Sequence, residues 1–372
     1  MARNLFADIH LDAICHNYRL AKSMARPGTG CIAIVKADAY GHGAVPVAQA
    51  LAKQADALGV ACIEEAMELR DANISIPILL LEGFFEKSEL PELIKHRLWT
   101  VIHSFKQLEE LEAYAHQSGG LQGLPVWVKV DTGMHRLGFE LTDLEPAMTR
   151  IQALPSVGPI TLMSHFANAD CSQDASTRQQ IAKLSQLSPG NTARAGIWKN
   201  LTFSLSNSAA TLAWPTAHYD WLRPGIMLYG ANPIGESVMG IRDLKPAMTL
   251  STELIAIRDV PAGEAVGYGS TFHCNQPTRI GTLAIGYADG YSRHARNGTP
   301  VFLNGRRAHL AGRVSMDMIT IDLTDHQEAK IGDRVELWGE NIPVDEVAAC
   351  CDTIAYTLLS GLTRRVCRRY PS

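Results

Sequence analysis

The feature that most constrains the fold is a regular alternation of short apolar runs with longer amphipathic stretches over about the first 230 residues. Eight apolar runs occur: CIAIV (31–35), ALGVAC (57–62), PILLLE (77–82), WTVIH (99–103), VWVKV (126–130), ITLMSH (160–165), LTFSLS (201–206) and LRPGIMLYG (222–230). Between most of them the apolar residues follow a helical period, as in STRQQIAKLSQL (176–187). The pattern predicts a (β/α)8 barrel of the TIM type. A doubly wound open sheet is the competing interpretation, but no G-x-G-x-x-G fingerprint follows the first strand.

The pattern changes around residues 231–246, which are irregular and contain proline and glycine. Strand-like runs then follow one another without long helices, and Asn304-Gly305 is typical of a two-residue hairpin turn. We therefore expect a barrel domain over residues 1–235 and a mainly β domain over 236–372, with a short helix near 343–351. The alternating segment NLFADIHL near the N-terminus is expected to pair with the second domain.

Composition excludes several classes of protein. The 372 residues carry 34 Lys plus Arg against 38 Asp plus Glu, so the net charge of −4 gives no footprint for nucleic acid and no polybasic segment for a membrane surface. The N-terminus lacks a signal-peptide pattern, and no run reaches the roughly 18 apolar residues of a spanning helix. Eight cysteines form no C-x-x-C pair, which favours reduced thiols in the cytoplasm over disulfides or a metal site.

Polar side chains gather where the predicted barrel strands end. They are Lys36, Asp131, Arg136, His165, the Ser206–Ser208 segment and Arg223. Barrel enzymes build their active sites at this end. Lys36 at the lip of an apolar strand is either a surface lysine or an amine whose desolvation frees it to form an imine. Each of these residues taken alone is more often structural, but their occurrence at one rim favours a site.

Eight segments, in this order, resemble the alanine racemase family: VKADAYGHG, KVDTGMHRLGF, SHFANAD, SNSAA, RPGIMLYG, VGYGSTF, IGYADGY and GRVSMDM. The resemblance runs along nearly the whole chain. It implies a barrel followed by a β domain, an enzyme that interconverts L-alanine and D-alanine, and pyridoxal 5'-phosphate as the cofactor.

The resemblance also implies how the cofactor would be held. Lys36 would carry it as an aldimine, His165 would lie against its ring, and Arg223 would face its pyridine nitrogen. An arginine there leaves that nitrogen unprotonated, which disfavours side reactions other than proton removal and return. The phosphate-binding positions match Tyr40, Ser208, Gly225, Ile226 and Tyr356.

Two bases, one on each face of the substrate, are implied by the same resemblance: Lys36 and Tyr268. Arg136 and Met316 match positions that contact the substrate, and two residues would support them, namely Lys129, which can be carbamylated in the family, and Asp317. Because Tyr268 and Met316 lie in the second domain, a head-to-tail homodimer with shared active sites is implied. The residues that resemble the entrance lining are Asp170, Tyr287, Arg293 and Arg313.

Three alternatives differ from this interpretation in recognisable features. A broad-specificity amino-acid racemase of the same fold would differ at the entrance and is typically exported. A decarboxylase with a barrel and a β domain would place a carboxylate, not Arg223, at the pyridine nitrogen. A non-catalytic pyridoxal-phosphate protein would lack the second domain. We expect D-alanine production for peptidoglycan or alanine catabolism, and the sequence does not distinguish the two.

Overall fold

Eight parallel strands close into a barrel, which confirms the predicted fold class. The computed structural model describes residues 3–171, 173–187, 198–234 and 243–371. After an N-terminal strand, β1 (Phe6–Ile9), the barrel strands are β2 (Gly30–Ile34), β3 (Ala57–Val60), β4 (Ile78–Leu80), β5 (Leu98–Ile102), β6 (Val126–Lys129), β7 (Ile160–Met163), β8 (Thr202–Ser204) and β9 (Trp221–Leu222). The helices around them are Leu11–Ser23, Ala44–Leu51, Ile63–Asp71, Leu90–Lys95, Phe105–Ser118, Leu144–Gln152, Ala175–Ser185 and Ser208–Ala213.

Local sequence signals explain where these elements begin and end. The hydroxyl of Ser104 accepts a hydrogen bond from the Gln107 N–H at 3.3 Å and so caps the start of the helix Phe105–Ser118. The same helix ends at Gly119, whose φ of 77° is accessible to glycine at little cost. In the described part of the chain no helix is both long and apolar enough to cross a bilayer.

Three tryptophans close the barrel at the end where its strands begin. Trp99, Trp127 and Trp221 lie on strands that are not all neighbours, yet their ring centroids are 5.6 to 6.1 Å apart, so they meet across the barrel interior. Gly30 makes room for them, because a Cβ there would stand 2.3 Å from the Trp221 ring. Only the carboxyl ends of the strands are therefore left for a cavity.

The eighth apolar run is the one that the structure shortens. Strand β9 stops at Leu222, and Ile226–Tyr229 is a 3-10 helix, so most of the segment 222–230 is not a strand. Arg223 N–H still bonds to the Ser206 carbonyl at 2.9 Å, but Pro224 has no N–H with which to continue the ladder. Arg223 accordingly lies just beyond the strand in which the sequence suggested it.

The remaining described strands form a mainly antiparallel sheet together with β1, and a separate two-stranded sheet. They are β10 (Met248–Val260), β11 (Ala265–Val266), β12 (Phe272–His273), β13 (Thr278–Leu283), β14 (Pro300–Leu303), β15 (Arg306–Leu310), β16 (Ile319–Asp322), β17 (Arg334–Trp338) and β18 (Cys367–Arg369). The main sheet has the order β13-β16-β15-β14-β17-β10-β1-β18, and β10 also pairs with β13, whereas β11 and β12 form the two-stranded sheet. Asn304 and Gly305, both at positive φ, turn the predicted hairpin between β14 and β15. The helix Val344–Cys350 is followed by a second one, Ala355–Ser360, which the sequence analysis missed.

The N-terminal strand belongs to this main sheet. β1 runs antiparallel to β10 and parallel to β18, so the first residues after the terminus join elements from the far end of the chain. The boundary expected between residues 235 and 236 lies outside the described residues.

Asp8 on β1 binds arginines on two other strands of this sheet, Arg334 on β17 and Arg369 on β18. Its carboxylate accepts hydrogen bonds from Arg369 at 2.6 and 2.8 Å and from Arg334 at 2.5 Å. Burial on its own raises the pKa of the Asp8 carboxyl, but the hydrogen bonds from Arg369 and Arg334 outweigh it and the pKa lies below its ordinary value. The ionised form of Asp8 is therefore the one that stabilises the fold.

We expect Asp8→Asn to lower the free energy of unfolding by about 1–3 kcal/mol at pH 7, because two arginines lose an ionised partner. A depressed native pKa means that this contribution is lost as the pH falls, so the difference from the parent should shrink below about pH 4. Urea denaturation at both pH values measures it. The exposed Asp71→Asn is the control, and an undiminished difference at low pH would contradict the assignment.

Candidate active site at the carboxyl end of the barrel

A cavity of about 480 Å³ opens where the barrel strands end. Its volume lies in the range of small-molecule sites. It is lined by eleven of the residues that the sequence singled out: Lys36, Tyr40, Lys129, Arg136, His165, Asn207, Ser208, Arg223, Gly225, Ile226 and Tyr356. Residues separated by up to 320 positions in the chain thus meet in one place.

Lys36 and Tyr40 reach the cavity because the segment between them is a left-handed turn. Ala37, Asp38, Ala39 and Tyr40 have φ values of 54, 53, 50 and 53°. Such a conformation costs roughly 1–2 kcal/mol for each residue with a side chain, so other contacts must hold it. His42 supplies two of them, since its Nδ1 lies 3.1 Å from the Ala39 carbonyl and 2.9 Å from that of Tyr40. Burial lowers the pKa of His42 to about 4, so a neutral ring makes these bonds by donating from Nδ1.

The C-terminal part of the chain packs on the same turn. Arg368 donates from Nε to the Gly41 carbonyl at 2.7 Å, and Tyr370 donates from its hydroxyl to the His42 carbonyl at 3.1 Å. A Cβ on Gly41 would lie 2.2 Å from the Leu359 carbonyl oxygen. This close approach brings Tyr356 beside Tyr40, with ring centroids 5.9 Å apart. One wall of the cavity therefore comes from the second domain of the same chain.

Hydroxyl groups and backbone N–H groups converge at this wall. The Ser208 hydroxyl accepts hydrogen bonds from the N–H groups of Gly225 at 2.8 Å and Met227 at 3.3 Å, which leaves its own hydrogen free to donate. A Cβ on Gly225 would lie 2.5 Å from the Tyr40 hydroxyl. Burial raises the pKa of Tyr40, and that of Tyr356 to about 12, so both remain donors at neutral pH. The arrangement suits an anion with several oxygens, such as a phosphate monoester.

Arg223 forms the floor of the cavity. Its guanidinium is buried and donates to the Ser204 hydroxyl and to the carbonyl oxygens of Ser164 at 2.6 Å and Leu205 at 3.3 Å. No described Asp or Glu forms an ion pair with it. Burial lowers its pKa to about 10, which still leaves it charged at pH 7. The cavity thus holds a fixed cation without a carboxylate partner.

His165 stands next to this cation. Its Nδ1 lies 3.4 Å from Arg223 Nη2, a donor, so Nδ1 accepts and the ring proton is assigned to Nε2. Burial, followed by the charges of Arg223 and Lys129, lowers the pKa of His165 well below its ordinary value. A neutral imidazole therefore forms one side of the cavity and can pack flat against an aromatic ligand.

Lys129 and Arg136 add two more basic side chains to the cavity. Lys129 ends strand β6 and is almost fully buried, and burial, with the charges of Arg223 and Arg136, lowers its pKa to about 8. Arg136 follows a loop that Asp131 organises by accepting hydrogen bonds from the next backbone N–H groups at 2.8 to 3.2 Å. Arg136 itself is exposed and free to bind an entering carboxylate.

Apart from Tyr356, the second-domain candidates do not line the cavity of their own chain. Tyr268 is 67% exposed and Met316 is 53% exposed, and neither lines it. The same holds for the others: Arg293, whose guanidinium lies 5.5 Å from the Tyr287 ring centroid; Asp317, which pairs with Arg365 at 2.6 Å; and Arg313. Asp170 differs, since it lines an adjoining cavity with Arg136, His165 and Tyr356.

One cavity residue was missed. Glu82, two residues after the end of strand β4, is the one carboxylate among the described residues that line the cavity, whereas Asn207 lies in the predicted Ser206–Ser208 segment and also lines it. Glu82 stands just beyond a strand end, so the rule that singled out Lys36 and His165 could have found it. The turn-supporting role of His42 has no such signal, because it depends on tertiary contacts.

Comparison with known proteins identifies the class of protein to which this fold and cavity belong. The sequence matches the alanine racemase N-terminal domain over residues 9–233 and the alanine racemase C-terminal domain over residues 247–370. The fold is thus that of a racemase with a barrel and a β domain. The chain belongs to the alanine racemase family.

Full-length relatives agree with this assignment. The chain is 51% identical over 371 residues to an alanine racemase of Chromohalobacter salexigens, covering 100% of this chain and 98% of the relative. It is 49% identical over 356 residues to a catabolic alanine racemase of Pseudomonas aeruginosa, covering 96% of each. A crystal structure of the biosynthetic alanine racemase from Pseudomonas aeruginosa superposes with a TM-score of 0.92 at 49% identity and full coverage of both chains. An alanine racemase from Bartonella henselae with covalently bound pyridoxal phosphate gives 0.87 at 30% identity and 99% coverage of each chain.

The electrostatics of the cavity can be tested on Lys129. We expect Arg136→Gln to raise the pKa of Lys129 above about 8, because a neighbouring positive charge is removed. Competitive acetylation of the cofactor-free protein, followed by mass spectrometry across a pH series, reports the pKa of that amine. Arg258→Gln, on the exposed part of β10, is the matched control. An unchanged or lower pKa in the Arg136 variant would show that the charge of Arg136 does not lower the pKa of Lys129.

Proposed function

We propose that this protein is an alanine racemase that holds pyridoxal 5'-phosphate on Lys36 and uses Tyr268 as its second base. The observation that carries the proposal is the cavity itself. A lysine, a buried arginine with no carboxylate partner among the described residues, and a cluster of hydroxyl donors converge in it. The family depends on pyridoxal phosphate, which supports the choice of cofactor.

The residues present fit that cofactor. Tyr40, Tyr356 and Ser208, with the N–H groups around Gly225 and Ile226, would bind its phosphate. A Cβ on Gly225 would lie 2.5 Å from the Tyr40 hydroxyl, so glycine at this position lets that hydroxyl approach the backbone. Lys36 would hold the aldehyde carbon, and the neutral His165 would pack on the ring.

Pyridoxal phosphate, when bound, acidifies the α-hydrogen of an amino acid whose amine it carries. Arg223 would face the ring nitrogen, and because its pKa of about 10 keeps it charged it would prevent protonation there. A decarboxylase of related architecture would need a carboxylate at this position, and the described ion pairs offer none to Arg223. This arrangement favours proton removal and return over other reactions.

The chain's own residues would move the proton. Lys36 Nζ would take the α-hydrogen from D-alanine on one face, and Tyr268 Oη would take it from L-alanine on the other. Either base alone would return the proton to the face from which it came, so inversion requires both. Arg136 would bind the substrate carboxylate through its guanidinium fork, with Met316 as a further contact and Asp317 in support.

Lys129 would orient Arg136 after carbamylation. The reaction with carbon dioxide requires a neutral amine, and with a pKa of about 8 roughly a tenth of the Lys129 side chains are neutral at pH 7. An ordinary lysine would be almost entirely charged. The lowered pKa therefore supports a modification that would give Arg136 a negative partner.

A head-to-tail homodimer would complete the site. Tyr268 and Met316 are exposed and lie outside the cavity of their own chain, which is what a residue contributed to a second subunit requires. In such a dimer the partner's Tyr268 would stand opposite Lys36. Asp170, Tyr287, Arg293 and Arg313 would line the entrance, and Tyr287 with Tyr356 would restrict it to a small side chain.

A cytoplasmic enzyme is part of the proposal, supported by eight cysteines that are all free thiols. The product D-alanine would serve peptidoglycan, or the enzyme would serve alanine catabolism. Relatives of both kinds, at 49% identity, resemble the chain equally well.

The proposal is tested by chiral analysis of the products from L-alanine, L-serine and L-lysine with enzyme supplied with pyridoxal phosphate. We expect alanine to reach equal amounts of both enantiomers, and serine and lysine to react at least about tenfold more slowly because the entrance admits a small side chain. Comparable turnover of lysine would favour a broad-specificity racemase. Protein that stays colourless with the cofactor and leaves alanine unchanged would refute the proposal.

Shared active sites make a distinct prediction for mixtures of inactive variants. Lys36→Ala and Tyr268→Phe should each lose at least about 100-fold in activity, because each removes one base. Their co-expression should restore about a quarter of the parent activity, since half of the dimers are mixed and each mixed dimer has one intact site of two. Tyr114→Phe, in the helix Phe105–Ser118, is the control. No restoration in isolated mixed dimers would mean that the two bases come from one chain.

A further inference from the structure

One carboxylate joins the segment that carries Lys36 to the next barrel strand. Glu65 lies in the helix Ile63–Asp71, just after strand β3. Its Oε1 accepts a hydrogen bond from the Ala37 N–H at 2.7 Å, and its Oε2 accepts one from the Ala61 N–H at 2.8 Å. Ala37 is the residue immediately after Lys36 and the first of the left-handed turn.

We propose that Glu65 is a positioning residue for Lys36: by clamping the Ala37 and Ala61 N–H groups it holds the left-handed turn in the conformation that presents Lys36 and Tyr40 to the cavity. The catalytic consequence rests on the proposed function. The conformational part concerns the chain alone and holds with or without a ligand.

The other end of the turn already has partners, so Glu65 secures the end that lacks them. Ala39 N–H bonds to the Val35 carbonyl at 2.9 Å, and His42 binds the carbonyls of Ala39 and Tyr40. Ala37 is exposed, and the Glu65 carboxylate is the acceptor that its N–H meets. Rotation of the peptide between Lys36 and Ala37 would change the direction of the Lys36 Cα–Cβ bond. The hydrogen bond from the Ala37 N–H to Glu65 opposes that rotation.

The clamp needs two acceptor atoms, which decides the choice of variants. Glutamine is nearly the same size, but it offers one acceptor and would turn its NH₂ group toward an N–H donor. Glu65→Gln should therefore break one of the two bonds without leaving a cavity. Glu65→Asp keeps both acceptors but is shorter by one methylene group. Glu64→Gln removes an exposed carboxylate from the same helix and is the matched control.

Hydrogen exchange of the full-length protein, measured with and without pyridoxal phosphate, tests the conformational part. In Glu65→Gln we expect the peptide covering residues 31–43 to exchange at least about tenfold faster than in the parent and in Glu64→Gln, with the helix Phe105–Ser118 unchanged. The affinity of Glu65→Gln for pyridoxal phosphate should be at least about tenfold lower than that of the parent. The affinity of Glu65→Asp should lie between those of the parent and Glu65→Gln. For alanine, kcat should fall while KM stays within about twofold, because Arg136 lies on another loop.

Exchange and cofactor affinity that stay within about twofold of the Glu64→Gln protein would overturn the proposal. Slower racemisation with unchanged exchange would also overturn it, since Glu65 would then act in some way other than by holding the turn. If the parent protein proves inactive on alanine while Glu65→Gln still speeds exchange at residues 31–43, the proposed function fails and the positioning role stands. Should Glu65→Gln fail to fold, Glu65→Asp decides by the same exchange comparison.

Discussion

The cavity depends on a stretch of backbone that is unfavourable by itself. Four consecutive residues with side chains, Ala37–Tyr40, adopt a left-handed conformation that at roughly 1–2 kcal/mol each would not persist in isolation. Contacts from three directions hold it: the neutral His42 ring inside the turn, the Arg368 and Tyr370 side chains from the C-terminus, and Glu65 from the next βα unit. The barrel and the second domain are thus joined at the turn that directly follows Lys36.

Charge is the second constraint on the site. Four cationic side chains, Lys36, Lys129, Arg136 and Arg223, line the cavity with one carboxylate, Glu82. Mutual repulsion and burial lower the pKa of Lys129 to about 8 and keep His165 neutral. Such a surplus of positive charge favours ligands that carry phosphate and carboxylate groups. This local surplus stands in contrast to the net charge of −4 for the whole chain.

Hydrophobic periodicity was sufficient to predict the barrel, because both faces of a parallel strand are buried and each run is bounded by helical patterns. It failed at 222–230, where an apolar composition continues although Pro224 ends the ladder and a 3-10 helix follows. The left-handed turn could not be predicted, since Ala, Asp and Tyr have no intrinsic preference for positive φ. Resemblance to the family supplied Tyr40 and Tyr356, which line the cavity, whereas Glu65 and His42 emerge only from contacts between distant segments.

The tryptophans at the amino-terminal end of the barrel have a consequence for substrate entry and product release. Because Trp99, Trp127 and Trp221 pack together there, the part of the barrel that the structure describes is filled at that end, and the cavity opens at the carboxyl ends of the strands. Substrate and product amino acids would then use the same entrance, so a product would have to leave before the next substrate binds. A side chain that narrows this entrance slows product release as much as substrate entry. The same few side chains therefore influence both substrate selectivity and the rate of release.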